Sequence, residues 1–416
     1  MSDPLTIIHG DAFSSLRRLP DESVQCCVTS PPYWSLRDYG IEPVVWDETV
    51  ECEHAWGHPQ KSDTAFCSIC GAWRGCLGLE PTHGLYVQHI VQVFHELKRV
   101  LRADATLWLN LGDSYFASGQ GFGDTKTTNK GHHGSRQRAK PDWSQCKELK
   151  PKDMVGIPWR CAFALQADGW YLRSDIVWHK PNAMPESVSD RPTKAHEFLF
   201  LLTRSAKYYY NAEAIAEEAS PNTHARLAQK SLLTQEGGFK QVQYEENFPG
   251  RKHRDRKPAD ILRAMASKAG IEPERGHASG EPVPYGDPKK GQQRHGNGIG
   301  PKSQSAGSGI KANDSFHKAT SKEVVLTRNK RDVWTIPTAP FSDAHFATFP
   351  PDLIKPCILA GAPVGGVVLD PFAGSGTTGK VAIELGRKAI LIEPKAEYVE
   401  MLKRRCQTTI GLPLAI

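Results

Sequence analysis

The chain has 416 residues, 39% of them hydrophobic and 24% charged, with a formal net charge of +6. That length supports one large domain or two, and the composition is that of a soluble globular protein made loop-rich by 36 Gly and 30 Pro. No apolar run approaches the roughly 18 residues of a membrane span, and the first residues lack the basic-then-apolar order of a secretory signal.

Residues 5–8 (LTII) and 24–29 (VQCCVT) read as short buried strands, each followed by a turn signal, with a short helix from Phe13 to Leu19 between them. Residues 83–102 form the clearest helix, with Tyr86, Ile90, Phe94, Leu97 and Leu101 on one face. Residues 106–114 (TLWLNLGDS) read as a buried strand, 152–168 as a helix, and WYLRSDIVW, HEFLFLL and KYYYN as three strands. After Val324 come a strand at 366–370, a helix at 376–386 and a strand at 388–393. Strands alternating with helices predict an α/β fold around a parallel or mixed sheet. No internal repeat is present. The ten cysteines are scattered, and Cys26 and Cys27 adjoin in an apolar run. They read as reduced thiols of a cytoplasmic protein, not as a disulfide framework.

Charge is distributed unevenly. Residues 221–330 hold 20 Lys and Arg against 11 Asp and Glu, a net of +9, which leaves −3 for the remainder. A near-neutral body with a basic insert suits a polyanion partner or, equally, a solvated linker. Residues 117–150 and 275–322, rich in Gly, Ser and Lys, read as mobile loops.

Two motifs carry chemistry. In Val367-Val368-Leu369-Asp370-Pro371-Phe372-Ala373-Gly374-Ser375-Gly376-Thr377-Thr378, a buried strand enters a Gly-rich turn and then a helix. Small residues let a ligand lie against the backbone there. Glu393 follows 17 residues beyond Gly376, at the end of the next strand, where an acid can hold two ribose hydroxyls. The Phe-x-Gly-x-Gly pattern disfavours a dinucleotide. The second motif is Thr29-Ser30-Pro31-Pro32-Tyr33-Trp34. Its prolines stiffen a turn and remove two N–H donors, which leaves carbonyls, a hydroxyl and an aromatic face to grip a planar ring bearing an amino group.

Together these motifs resemble the amino-methylating DNA methyltransferases, in the permuted motif order called the β class. The resemblance covers roughly residues 5–210 and 331–410. It implies a Rossmann-like mixed sheet with helices on both faces, S-adenosylmethionine as cofactor and double-stranded DNA as partner. It also implies a cytoplasmic, nucleoid-associated setting, a restriction-modification role and pairing into homodimers. Ser30, Pro31, Pro32 and Tyr33 become the catalytic residues. Asp11, Ala12, Ile336, Asp370, Phe372, Gly374, Ser375, Gly376, Thr377 and Glu393 become the cofactor-binding residues. Trp178-His179-Lys180-Pro181-Asn182 resembles the motif flanking the target-base pocket, so Lys180 and Asn182 are placed at DNA.

The implied organisation is an N-terminal catalytic part at 1–210, a target-recognition region at 211–330 and a cofactor-binding part at 331–416. The cluster Arg251, Lys252, Arg254, Arg256 and Lys257 is the expected phosphate-contacting stretch. Ser-Pro-Pro-Tyr is associated mostly with N4-cytosine, so cytosine is favoured and N6-adenine is the alternative. A DNA-binding regulator with a silent catalytic domain is a reading from another class, and the intact motifs argue against it.

An insertion at about 47–80 adds Cys52-x-His54 and Cys67-x-x-Cys70, with 12 residues between His54 and Cys67. Two close N/S pairs suit tetrahedral structural zinc, and Cys76 and His58 are alternative members of the set.

Overall fold

Apolar strands alternating with amphipathic helices assemble, in the computed structural model, into one eight-stranded sheet flanked by helices. Residues 3–47, 51–56, 65–116, 146–219, 327–338 and 349–407 are described. Five strands run parallel side by side: β1 (Leu5–His9), β12 (Lys388–Glu393), β11 (Val367–Asp370), β2 (Val24–Thr29) and β5 (Leu101–Leu111). Beyond β5 the sheet continues antiparallel through β7 (His196–Thr203) and β6 (Tyr171–His179), and β10 (Val333–Thr335) closes that edge parallel to β6. The sheet therefore mixes strands from both ends of the chain, and β2 and β11 are neighbours although far apart in sequence. Carboxyl ends of parallel strands point to one edge, where α/β folds gather ligands.

The helices are α1 (Ala12–Arg17), α2 (His83–Val100), α3 (Ile157–Ala167), α4 (Pro351–Gly361), α5 (Thr377–Glu384) and α6 (Ala396–Gln407). Helix α2 starts where the Thr82 side chain accepts the Leu85 N–H at 3.1 Å, and its predicted apolar face is buried in the main core cluster. It ends at Val100 and the chain passes straight into β5, so that strand begins five residues before the expected start. The signal was hidden because Leu101 continues the helical period. Helix α3 begins at Ile157, not at 152, because Gly156 caps it in a left-handed conformation and Pro158 follows in its first turn. The KYYYN segment is not a strand. It runs along the sheet margin, with Tyr209 N–H donating to the Asp104 carbonyl and Asn211 N–H to Ala360. Those tyrosines have strand propensity, but the single Tyr209–Asp104 bond to β5 does not make a ladder.

Cα packing divides the chain into two units, Met1–Ile215 with Asn329–Ile416, and Ala216–Arg328. The sheet belongs to the first unit. In the second, β8 (Glu217–Glu218) pairs antiparallel with β9 (Thr327–Arg328). The basic cluster at Arg251, Lys252, Arg254, Arg256 and Lys257 lies outside the described residues, as do most of the expected 211–330 region and 117–145. Among the described residues no helix is long and apolar enough to cross a membrane.

Helix α4 packs so closely on β2 and β5 that a Cβ at Gly361 would lie 2.4 Å from Thr106 Oγ1 and 2.8 Å from Cys26 Sγ. Both neighbours are fully buried. Gly361→Ala should cost about 1–3 kcal/mol by overpacking, read as a lower urea midpoint at unchanged slope.

Candidate active site

The carboxyl ends of β2 and β11 are joined by one buried carboxylate. Asp370 Oδ1 accepts the Thr29 hydroxyl at 2.7 Å and the Phe372 N–H at 3.0 Å, and its Oδ2 accepts the Thr378 hydroxyl at 2.7 Å. Its residue is 1% exposed, and burial pushes the carboxyl up to about 6. Asp370 is thus spent on the scaffold. It does not line the cleft that opens beside it.

That cleft is lined by Asp11, Ala12, Ser30, Pro31, Pro32, Tyr33, Phe372, Gly374, Ser375, Thr377 and Glu393, with Trp46, Tyr39, Leu77 and Tyr398 closing around them. The two sequence motifs, more than 330 residues apart, share one wall-to-wall space. Asp11 caps α1, its Oδ1 accepting Ser14 N–H at 2.8 Å. Gly376 is left-handed, with φ of 79°, and a Cβ there would approach Leu402 Cβ of α6 to 2.7 Å. Only glycine allows both the turn and that packing. Arg405, from the last turn of α6, donates to the Ser375 carbonyl at 2.6 Å and to its hydroxyl at 2.7 Å, which fixes the turn from outside.

Glu393 ends β12. One of its oxygens accepts Gly374 N–H and the other Lys395 N–H, both at 2.9 Å. Burial raises this carboxyl to about 7. It faces the cleft, where its carboxyl oxygens could accept from a pair of ligand hydroxyls.

The Ser30–Tyr33 loop is held from three sides. Ser30 Oγ donates to Tyr33 Oη at 3.2 Å, and Tyr33 Oη reaches Asn110 Oδ1 at 3.0 Å and Glu197 Oε2 at 2.9 Å. Burial and the Glu197 carboxylate push the Tyr33 phenol well above its usual range, so it stays neutral. The ring lies on the Gly112 backbone, where a Cβ would stand 2.5 Å from Cε2. Tyr86 Oη donates to the Pro32 carbonyl at 2.9 Å.

Lys180, Asn182 and Ile336 do not line the cleft. Lys180 Nζ pairs with Glu197 Oε1 and sits 4.2 Å over the Trp178 ring. Asn182 pins the 336–338 segment by accepting Thr338 N–H at 2.9 Å and donating to its carbonyl at 3.0 Å. Ile336 packs against the Trp178 and Trp334 cluster.

Cys52, His54, Cys67 and Cys70 converge, and their four ligand atoms lie within 4.8 Å of one another. Cys52 Sγ and Cys67 Sγ are 3.8 Å apart, and Cys70 Sγ is 3.4 Å from His54 Nδ1. A tetrahedron with Zn–S near 2.3 Å and Zn–N near 2.0 Å has S···S and S···N edges of about 3.8 and about 3.5 Å. The donor set fits that ion. Cys76 stands apart, its Sγ donating to the Ile41 carbonyl at 3.4 Å.

A family model described as DNA methylase, the N6/N4 methyltransferase family, matches residues 24–404. The chain belongs to this family. It is 37% identical to the type II methyltransferase M.Cfr9I of Citrobacter freundii, over 98% of this chain and 90% of that protein. It is 36% identical to type II methyltransferase M.XycI of Xanthomonas campestris pv. cyanopsidis, over 97% and 87%. Among solved structures it resembles the cytosine-N4-specific PvuII DNA methyltransferase, at 14% identity and a TM-score of 0.48, over 99% of this chain and 90% of that one.

Sequence reading missed two residues of the cleft wall, Trp46 and Tyr398, and three that hold the Pro-Pro-Tyr loop from behind, Asn110, Glu197 and Tyr86. Asn110 and Glu197 did leave a trace, as polar residues inside the apolar strands TLWLNLGDS and HEFLFLL. Their meeting with Tyr33 depends on the β5–β7 pairing, which no local pattern reveals.

Burial lifts Glu393 from 4.5 in an unfolded chain to about 7. A raised folded value means the protonated form is favoured on folding. Its contribution to stability is whole below about 4.5 and is lost as pH rises through about 7. In the cofactor-free protein, wild type should therefore gain urea stability relative to Glu393→Gln as pH falls from 8 to 4.5.

Proposed function

We propose that this chain transfers the methyl group of S-adenosylmethionine to the exocyclic amino nitrogen of a base flipped out of duplex DNA, with cytosine N4 the favoured target. The observation that carries this reading is the shared cleft. The Ser30-Pro31-Pro32-Tyr33 loop and the Gly-rich turn with Glu393 line one space, where a nucleoside and a planar amino-bearing ring can meet. Family membership supplies the reaction class.

Each residue has a definable task. The bound cofactor supplies an electrophilic methyl group on a sulfonium. Glu393 and Asp11 hold the nucleoside end, as acceptors for ribose hydroxyls and the adenine amino group. Phe372, Gly374, Ser375 and Thr377 let that ligand lie against the backbone. A base within the helix cannot reach this depth, so it must leave the stack. Tyr33 offers its ring to the flipped base, and it is prevented from swinging away by Ser30, Asn110 and Glu197. Because Ser30 gives its own proton to Tyr33, its hydroxyl faces the base as a lone-pair acceptor. Ser30 and the Pro31 carbonyl then accept the two N–H bonds, which turns the nitrogen lone pair toward the methyl group. With the cofactor bound, the amino nitrogen would take the methyl carbon as the sulfonium carbon–sulfur bond breaks, and the amino group would give up one proton to solvent. No covalent enzyme intermediate is needed.

The preference for cytosine rests on Ser30 standing where adenine-directed relatives mostly have aspartate. The basic residues Arg251, Lys252, Arg254, Arg256 and Lys257 would contact phosphate within a target-recognition region at 211–330, and the whole would act in the cytoplasm. The Cys52, His54, Cys67 and Cys70 set is assigned to structural zinc, since four protein ligands leave no open position.

Genomic DNA from cells expressing the protein should carry N4-methylcytosine at one recurrent short sequence, read by modified-base sequencing. N6-methyladenine would overturn the base, and unmodified DNA would overturn the activity. Ser30→Ala and Tyr33→Ala should each slow single-turnover methylation at least about 100-fold while binding S-adenosylmethionine normally. Elemental analysis of chelator-washed protein should return about one zinc per chain.

A further inference from the structure

The insertion that carries the Cys3His cluster also builds one side of the cleft. Its two short strands, β3 (Val44–Trp46) and β4 (Trp73–Gly75), pair antiparallel. Val44 and Trp46, with Leu77 just past β4, line the same space as Glu393 and the Gly-rich turn. The Trp46 indole is 4% exposed and donates to the Gly75 carbonyl at 3.1 Å.

Behind this wall the insertion grips α2 through His89. The imidazole stacks on Trp46 at 4.6 Å and on Trp73 at 5.3 Å. Its Nδ1 meets Glu80 Oε1 at 3.0 Å and its Nε2 meets Asp47 Oδ2 at 3.1 Å. Glu80 is fully buried. Its second oxygen accepts Gly78 N–H at 2.8 Å, and its carbonyl accepts Trp34 Nε1 at 2.9 Å. The Gly78 carbonyl accepts Ser35 N–H at 2.8 Å. Trp34 and Ser35 directly follow Tyr33, so the insertion touches the catalytic loop as well as the cofactor side.

The metal ligands sit at the other end of this hairpin. Cys67 N–H donates to the Ala72 carbonyl and Arg74 N–H to Ala65, both at 2.7 Å, and bridges join Phe66 to Trp73 and Trp56 to Cys67. The strand that bears Trp73 is thus hydrogen-bonded to the segment that bears Cys67. Two strands of three residues are too short to hold a geometry unaided. A cross-link at the cluster would fix residues 52–54 against 67–70, and with them the register of Trp46 and Trp73.

We infer that the metal-bearing insertion is part of the cofactor site: Val44, Trp46 and Leu77 form its wall, and metal at Cys52, His54, Cys67 and Cys70 holds that wall in place, so metal and cofactor bind cooperatively. This rests on the readings above that the cluster takes zinc and the cleft takes S-adenosylmethionine. Linkage makes the coupling reciprocal. If zinc tightens cofactor binding by some factor, cofactor must tighten zinc by the same factor.

The test uses the full-length protein and S-adenosylhomocysteine, which binds without turnover. Zinc is competed away by a chromogenic chelator, with and without saturating S-adenosylhomocysteine, and calorimetry measures its Kd in zinc-loaded, stripped and zinc-restored protein. Ligand should reduce zinc loss to the chelator at equilibrium about tenfold, stripping should weaken ligand binding by the same factor, and added zinc should restore it. Trp46→Phe should weaken ligand binding severalfold at unchanged zinc content. Zinc loss unaffected by ligand, or a stripped protein with wild-type affinity, overturns the inference. Protein that never holds zinc defeats the metal reading. Zinc-loaded protein that does not bind S-adenosylhomocysteine defeats the cofactor reading. Either result overturns the coupling with it. The competition experiment starts from the folded, loaded protein, so it decides even if stripping unfolds the chain.

Discussion

One buried carboxylate sets where the chemistry can occur. Thr29 and Asp370 are 341 positions apart, yet the Thr29 hydroxyl donates to Asp370 at 2.7 Å. Burying a carboxylate carries a large desolvation cost unless donors surround it. Asp370 has two hydroxyls and one backbone N–H, and its carboxyl is still pushed up to about 6. The geometry that results is specific. Strands β2 and β11 end at one level, and the chain leaves each of them into the same cleft. The Pro-Pro-Tyr loop departs from one and the Gly-rich turn from the other. Without that join, the permuted motif order would leave the Pro-Pro-Tyr loop and the Gly-rich turn with no fixed relation.

Rigidity on both sides of the cleft has a common origin in buried polar groups that are satisfied by main chain or by each other. Tyr33 is fixed through Asn110 and Glu197, and Glu197 is in turn fixed by Lys180. The Gly-rich turn is held by Glu393 within and Arg405 without. Such networks specify one arrangement because any partial arrangement leaves a buried group unpaired. For methyl transfer this matters directly, since an in-line displacement is sensitive to small misplacements of the acceptor nitrogen.

Much of this was legible in the sequence where local chemistry and local structure coincide. Strand, glycine turn and helix follow one another in Val367–Thr378, and the turn at Pro31-Pro32 ends the apolar strand VQCCVT. The cysteine and histidine spacing predicted a cluster that does converge. What was not legible depends on pairing between distant strands. Asp370 reads as a ligand residue because it stands in a cofactor motif, but its neighbours in the sheet consume it. Lys180 reads as a DNA contact because Trp178-His179-Lys180-Pro181-Asn182 resembles the motif flanking the target-base pocket, and its pairing with Glu197 across β6 and β7 is invisible in that pattern. Trp46 offers no pattern at all, since its place beside the cleft follows from the fold of an insertion. Helix α2 and strand β5 blurred into one another because no turn residue separates Val100 from Leu101.

In the proposed reaction both motifs face a single bound cofactor. Photolabelling tests it most directly: the protein is irradiated with bound methyl-labelled S-adenosylmethionine, and the labelled peptides are mapped by mass spectrometry. Label should appear on the peptide containing Ser30-Pro31-Pro32-Tyr33, and excess S-adenosylhomocysteine and the Glu393→Gln substitution should each reduce it. Label that stays off this peptide, or that persists undiminished in both controls, would contradict a methyl group poised between the two halves of the chain.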